Sequence, residues 1–255
     1  MLALLINKFK KILTILIFAA LITASITTVF DIKDEFISYT VGAQELQQRT
    51  ADVIVRVGEY KGKPGKRIYV NGATLNIPDD IPIRNDNDGK GFYVSEWDIN
   101  VKEAKALVKK LQSQGINARI QVAYSKSEDL NAAGKIANKS NPYIYVSVHH
   151  NYYESNSRGY FAMYNQGNVK AQELARKLSE SIKYNGAVPQ GCNRANDGYI
   201  GELNSLNNNI TGVLLELGFF SNLDELEIIC SNEYVDYVTT QLANEIANEI
   251  ILQYN

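Results

Sequence analysis

Two cysteines and two histidines in 255 residues already exclude several kinds of protein. So few cysteines cannot build a disulfide-stapled miniprotein. With only two histidines, any histidine-built centre must be economical and completed by other side chains. Net charge is also nearly absent: 26 basic side chains oppose 28 acidic ones, for a formal charge of −2. There is no basic excess or basic stripe of the kind a nucleic-acid binder carries, so no nucleic-acid partner is expected. Internal repeats and low-complexity stretches are missing, and neither a disordered chain nor a collagen-like repeat fits the composition. What is present is apolar material, 45% of the residues, enough for one generous domain or two small ones with a real core.

The amino-terminal segment differs from the rest. Lys8, Lys10 and Lys11 precede an apolar run from Ile12 to Phe30, and Asp31, Asp34 and Glu35 follow it. This charge asymmetry orients the segment with its amino end in the cytoplasm. The run is long for a cleaved signal core and suits a membrane span, which needs roughly 20 apolar residues. It shows no polar face, which argues against a core helix. Val41-Gly42-Ala43 offers a small-residue cleavage site well beyond the run. Residues 1–43 therefore read as a signal peptide or membrane anchor and 44–50 as a short polar linker. Residues 51–255 are the exported domain, secreted or held at the outer face of the membrane. In that setting Cys192 and Cys230 either pair or remain two unrelated thiols.

Strand and helix signals alternate along the exported part. Val53–Val57 is a β-branched run, and turn signals such as Asn71-Gly72 and Asn87-Asp88-Gly89 punctuate residues 61–91, where Arg67–Val70 offers one arm of a hairpin. Val101, Ala104, Val108 and Leu111 recur at helical spacing ahead of Gly115. A strand is expected over 116–124, and a helix over 130–139 capped by Ser127 or Asp129. Ile144–Val148 reads as a strand, Asn168 as the cap of a helix carrying Val169, Leu174, Leu178 and Ile182, and Val213–Leu217 as a near-continuous apolar strand. Val235, Val238, Leu242, Ile246 and Ile250 define the face of a last helix. The pattern predicts a three-layer α/β sandwich whose mostly parallel central sheet is flanked by helices.

Ligands of such sheets gather at the carboxyl ends of the strands, and three strand ends here carry reactive side chains. Gly58-Glu59 follows the first strand, His149-His150-Asn151 follows Ile144–Val148, and Glu216 interrupts the apolar run at 213–220. Ser147, His149 and Asn151 share one face of a regular strand and His150 points to the other, so the two histidines do not share one metal. A carboxylate between Leu215 and Leu217 is expensive unless it is paired, bound to a metal or functional.

Three segments resemble the zinc-dependent N-acetylmuramoyl-L-alanine amidases of bacterial autolysins and phage lysins. Ser147-Val148-His149-His150-Asn151 is similar to that family's Ser-x-His-x-Asn motif. The run from Leu215 to Asn222 resembles its Glu-x-Gly-Phe-x-Ser-Asn segment. Glu96-Trp97-Asp98-Ile99-Asn100 is similar to its Glu-x-Asp-[Val/Ile]-Asn, just ahead of the first long helix. Ala137-Asn138, ahead of the histidine strand, also fits. The resemblance runs from about Ala51 to Tyr254. It implies a peptidoglycan hydrolase that cleaves the amide between N-acetylmuramic acid and the L-alanine of the stem peptide. It further implies His149 and Glu96 as zinc ligands and Glu216 as the catalytic acid/base.

The family's first ligand, a histidine in Asp-x-Gly-His, has no counterpart: the segment reads Arg56-Val57-Gly58-Glu59. Ala123-Tyr124 replaces a Thr-Arg pair, and a later arginine is also missing, with Ala133 or a neighbour in its place. Three readings are open. Glu59 completes a Glu-Glu-His site that takes Zn²⁺ or another divalent metal such as Mn²⁺. Alternatively, the domain is a catalytically impaired relative that binds peptidoglycan or a partner protein. In the third reading, Glu59 is an ordinary strand-end residue. Tyr152, Tyr153, Tyr160 and Tyr164 serve either as ordinary packing or as a groove wall, and Trp97 is expected to pack the helix start. With no wall-binding repeats, targeting falls to the membrane segment or to an activating partner protein.

Overall fold

The structure, a computed structural model, describes residues 51–61, 66–184, 189–194 and 200–254. The expected anchor at 1–43 and linker at 44–50 lie outside them, as does the side chain of Cys192. The unit Ala51–Asn255 is organised around a six-stranded sheet. Its strands are β1 (Val53–Val57), β5 (Ala118–Gln121), β6 (Ile144–Asn151), β7 (Tyr160–Tyr164), β8 (Pro189–Arg194) and β9 (Thr211–Phe219). Their spatial order is β5-β1-β6-β9-β7-β8. Every neighbouring pair is parallel except β7 with β9. The expected mostly parallel α/β architecture is thus present.

Side-chain alternation divides the two faces. Val53, Val55, Val57, Ile144, Val146, Val148, Val213, Leu215 and Leu217 are buried in the larger core. Packed there are α1 (Glu96–Ser113), α3 (Val169–Ser181), α5 (Leu223–Cys230) and α6 (Asn232–Tyr254). Ile54, Tyr145 and Leu214 point the other way, into a smaller core with Ala137 of α2 (Leu130–Asn138) and Leu203 of the short α4 (Gly201–Asn204). All five residues expected on the buried face of the last helix are buried, whereas Val169 is exposed at the start of α3. Among the described residues no helix is long and apolar enough to cross a membrane. Cys230 is a free, buried thiol.

Helix ends follow the capping chemistry. Asp129, not Ser127, caps α2 by accepting from Asn131 N–H, and Asn168 caps α3 through Ala171 N–H. The turn-rich region holds more order than one hairpin. Strands β2 (Arg67–Tyr69), β3 (Arg84–Asp86) and β4 (Gly91–Ser95) form an antiparallel sheet in the order β2-β4-β3. This small sheet fixes the start of α1. Ser95 Oγ caps Asp98 N–H, and Arg84 of β3 grips the Asp98 carboxylate with two 2.8 Å hydrogen bonds. Such a bidentate pair is among the stronger polar contacts a fold makes.

Candidate metal centre

β1, β6 and β9 lie side by side and run parallel, so their carboxyl ends converge on one rim of the sheet. Glu59 follows β1, and the Gly58 N–H donates to Val148 O at 2.9 Å, keeping this segment against β6. Glu216 is paired with His149 in the ladder, which puts the two side chains next to each other on the same face. Glu96 enters from outside the large sheet, as the first residue of α1.

Glu59, Glu96 and His149 each offer a ligand atom lying within 4.8 Å of the other two, and all three residues are buried. His149 Nδ1 stands 3.2 Å from Glu96 Oε1. The same oxygen accepts from His150 N–H and from Asn100 Nδ2, 3.2 and 3.3 Å away, while Glu96 Oε2 is buried with no hydrogen-bond partner. One oxygen of Glu96 is thus fixed and the other is left for a ligand. Two carboxylates and an imidazole are a donor set that divalent cations accept. These residues fit a metal ion.

Backbone geometry is adapted to the cluster. Glu59 has φ 62°, a left-handed conformation rare outside glycine and found disproportionately at functional sites. A Cβ on Gly58 would lie 2.5 Å from the His149 ring and from Val148 O, so only glycine allows the ring to pack there.

The charges are mutually supporting. Burial alone would raise Glu96, but the hydrogen bond and charge of His149 outweigh it and hold the carboxyl below its usual value. Burial would lower His149, yet Glu202 and Glu96 hold it well above the usual histidine value. Glu216 behaves differently. Loss of solvation dominates and pushes its carboxyl up to about 7, and its Oε2 is buried with no hydrogen-bond partner. Its residue nevertheless keeps partial exposure.

His150 points to the opposite face, as the alternation requires. There its Nδ1 lies 2.8 Å from Asn100 Oδ1 and its Nε2 3.4 Å from the buried Glu103 carboxylate. Trp97 packs against the core at the helix start, as expected. Among the tyrosines, Tyr160 is core, its hydroxyl bonded to Ile182 O, while Tyr152 and Tyr153 are exposed.

One residue at the centre was missed in the sequence: Glu202. It lies 53 residues beyond His149, its Oε1 is 3.2 Å from His149 Nε2, and it is essentially fully buried. The available signal was Arg56, a cation within the apolar run of β1. It is fully buried, which demands an anionic neighbour; burial alone would raise Glu202, but the hydrogen bond and charge of His149, with the charge of Arg56, hold it below the usual carboxylate value. Beside Glu202 opens a cavity of about 170 Å³, lined also by Glu59, Tyr60, Asp129 and Ile200.

Residues 85–248, more than half of the chain, match the family model described as N-acetylmuramoyl-L-alanine amidase. Glu96, His149 and Glu216 lie inside that stretch, and Glu59 lies before it. No curated protein matches the sequence. Among solved structures, the N-acetylmuramoyl-L-alanine amidase from Clostridium difficile 630 is 22% identical, with a TM-score of 0.53; the match covers 79% of this chain and 95% of that one. The catalytic domain of CwlV from Bacillus (Paenibacillus) polymyxa var. colistinus is 16% identical, with a TM-score of 0.60, covering 78% of this chain and 97% of that one. The CwlD amidase of Clostridioides difficile, solved in complex with the GerS lipoprotein, is 21% identical, with a TM-score of 0.57, and the match covers 80% and 100% of the two chains. At these identities the likeness is one of fold.

Proposed function

Because the chain belongs to the N-acetylmuramoyl-L-alanine amidase family, an amide hydrolase family, we propose that it cleaves the amide between N-acetylmuramic acid and the L-alanine of the peptidoglycan stem peptide, with a metal held by Glu59, Glu96 and His149. The observation that carries this reading is the convergence of those three side chains within 4.8 Å, beside Glu216 on the adjacent strand.

In this reading Glu59 takes the place of the family's first histidine, and the ion is Zn²⁺. Two carboxylates among three donors also admit a harder cation such as Mn²⁺. When bound, the ion supplies Lewis acidity to the scissile carbonyl and to water. The chain's own residues do the rest. Glu96 and Glu59 contribute negative charge, and His149 contributes a neutral nitrogen. Glu216 takes a proton from the attacking water at its carboxylate and returns it to the nitrogen of the leaving L-alanine. Its place beside His149 in the ladder, with Oε2 buried and without a hydrogen-bond partner, leaves the carboxyl group available for both transfers. The cavity beside Glu202 and Glu59 offers a recess next to this cluster in which part of a substrate can sit.

Family membership supports action outside the cytoplasm, with residues 1–43 as signal or anchor. The lipoprotein complex of the CwlD relative supports a targeting or activating protein partner here. The test is to incubate the protein with purified cell-wall sacculi and count newly exposed L-alanine amino termini. Release by the wild type and its loss in Glu216→Gln support the reading. Equal release by both overturns it.

A further inference from the structure

We infer that Glu202 is a positioning residue for His149: it fixes the ring so that Nδ1 is the nitrogen offered to a metal. This rests on the proposed metal site. An imidazole has two ring nitrogens, and in the neutral form one carries the proton while the other carries the free lone pair. His149 stands between two carboxylates, with Nε2 at 3.2 Å from Glu202 Oε1 and Nδ1 at 3.2 Å from Glu96 Oε1. Glu96 belongs to the metal cluster and Glu202 does not. With Nε2–H donating to Glu202, the lone pair is left on Nδ1, which faces Glu96 Oε1 and lies against Gly58. A ligating histidine whose second nitrogen donates to a carboxylate is held in both tautomer and orientation.

The support for Glu202 is itself built. Its Oε2 accepts from Tyr145 OH at 2.8 Å and from Ser147 Oγ at 3.0 Å. Tyr145, Ser147 and His149 are alternate residues of β6, so one strand face presents three donors to a single carboxylate. Helix α4, which carries Glu202, is pressed onto α2: a Cβ on Gly134 would lie 2.1 Å from Glu202 O. Asn138 of α2 clamps the following turn, donating to Ser205 O and accepting from Asn207 N–H, both at 2.9 Å. Arg56 supplies the buried counter-charge.

The test titrates metal-free protein with Zn²⁺ against a chromogenic chelator, and records long-range ¹H–¹⁵N spectra of its histidines with Zn²⁺ bound. Only two histidines contribute, so His149 is assigned by comparison with His150→Gln. The expected spectrum has the His149 proton on Nε2 and the metal-induced shift on Nδ1. Glu202→Gln is expected to weaken Zn²⁺ binding by about 10–100-fold. Because that variant leaves Arg56 without its counter-charge, Ser147→Ala serves as a second variant. It removes one donor to Glu202, keeps both charges, and is expected to weaken Zn²⁺ binding several-fold while the metal-free protein melts with the wild type. Zn²⁺ bound through Nε2, or unchanged affinity in both variants, overturns this inference and leaves the proposed function standing. A wild-type protein that takes up neither Zn²⁺ nor Mn²⁺ overturns both.

Discussion

Glu96 Oε1 and His149 Nδ1 stand 3.2 Å apart across 53 residues of sequence, one at the first turn of a helix and the other near the end of a central strand. Asn100, one turn along from Glu96, donates to the same Glu96 oxygen, and on its other side it meets His150. The start of the helix and the end of the strand are therefore tied by contacts on both faces of the sheet. A carboxylate held this firmly loses little on meeting a cation. Glu96→Ala is expected to abolish metal uptake without unfolding the protein, checked by metal analysis alongside a thermal melt.

Glu216 is proposed to serve proton transfer and to hold no metal. Glu216→Gln should lower turnover by about 10²–10⁴-fold and leave metal content at the wild-type level. Steady-state release of L-alanine amino termini and metal analysis on the same preparation check both.

The same carboxyl group predicts a pH dependence of stability in the metal-free protein. Its folded value is raised from 4.5 to about 7, so the folded state keeps a proton that the unfolded state has already released. Its contribution is fully present below about 4.5 and is lost as pH rises through about 7. His149, held well above its usual value, loses its contribution only at higher pH. Denaturant midpoints measured across this window should fall with pH in the wild type and fall less in Glu216→Gln.

Gly58→Ala puts a methyl group 2.5 Å from a ring that Glu96 and Glu202 hold on both sides. Neither the ring nor Val148 O has room to yield. A destabilisation of about 1–3 kcal/mol and a weakened metal site are expected together, measured by denaturant unfolding and chelator competition.

Glu59→His introduces the residue type proposed to be replaced here, at a position with φ 62° where histidine is better tolerated than most side chains. Exchanging an oxygen donor for an imidazole should favour Zn²⁺ over Mn²⁺. Competition titrations of the two metals against each variant check the direction.

Much of this arrangement was legible in the sequence. β1, β6 and β9 announce themselves as apolar runs, and their parallel pairing alone brings residues 59, 149 and 216 to one rim. The period-two rule placed His149 and His150 on opposite faces, and both have their partners there. Glu96 was recognised through motif resemblance, because a helix start carries no local sign of which strand it will meet. β7 and Glu202 leave no comparable signal in the sequence. The residues of β7 mix tyrosines with smaller apolar side chains and read equally well as a groove wall, while the strand is defined by antiparallel pairing with β9. Glu202 sits on a four-residue helix among glycine and asparagine, too short for periodicity to register, and only tertiary packing brings it to His149.

The most direct measurement is the metal content of the purified protein, wild type and His149→Ala, by elemental analysis after exhaustive dialysis against metal-free buffer. Close to one divalent ion per wild-type chain and essentially none in the variant are expected. A wild-type chain that retains no metal, or a variant that retains as much as the wild type, would contradict the proposed metal site.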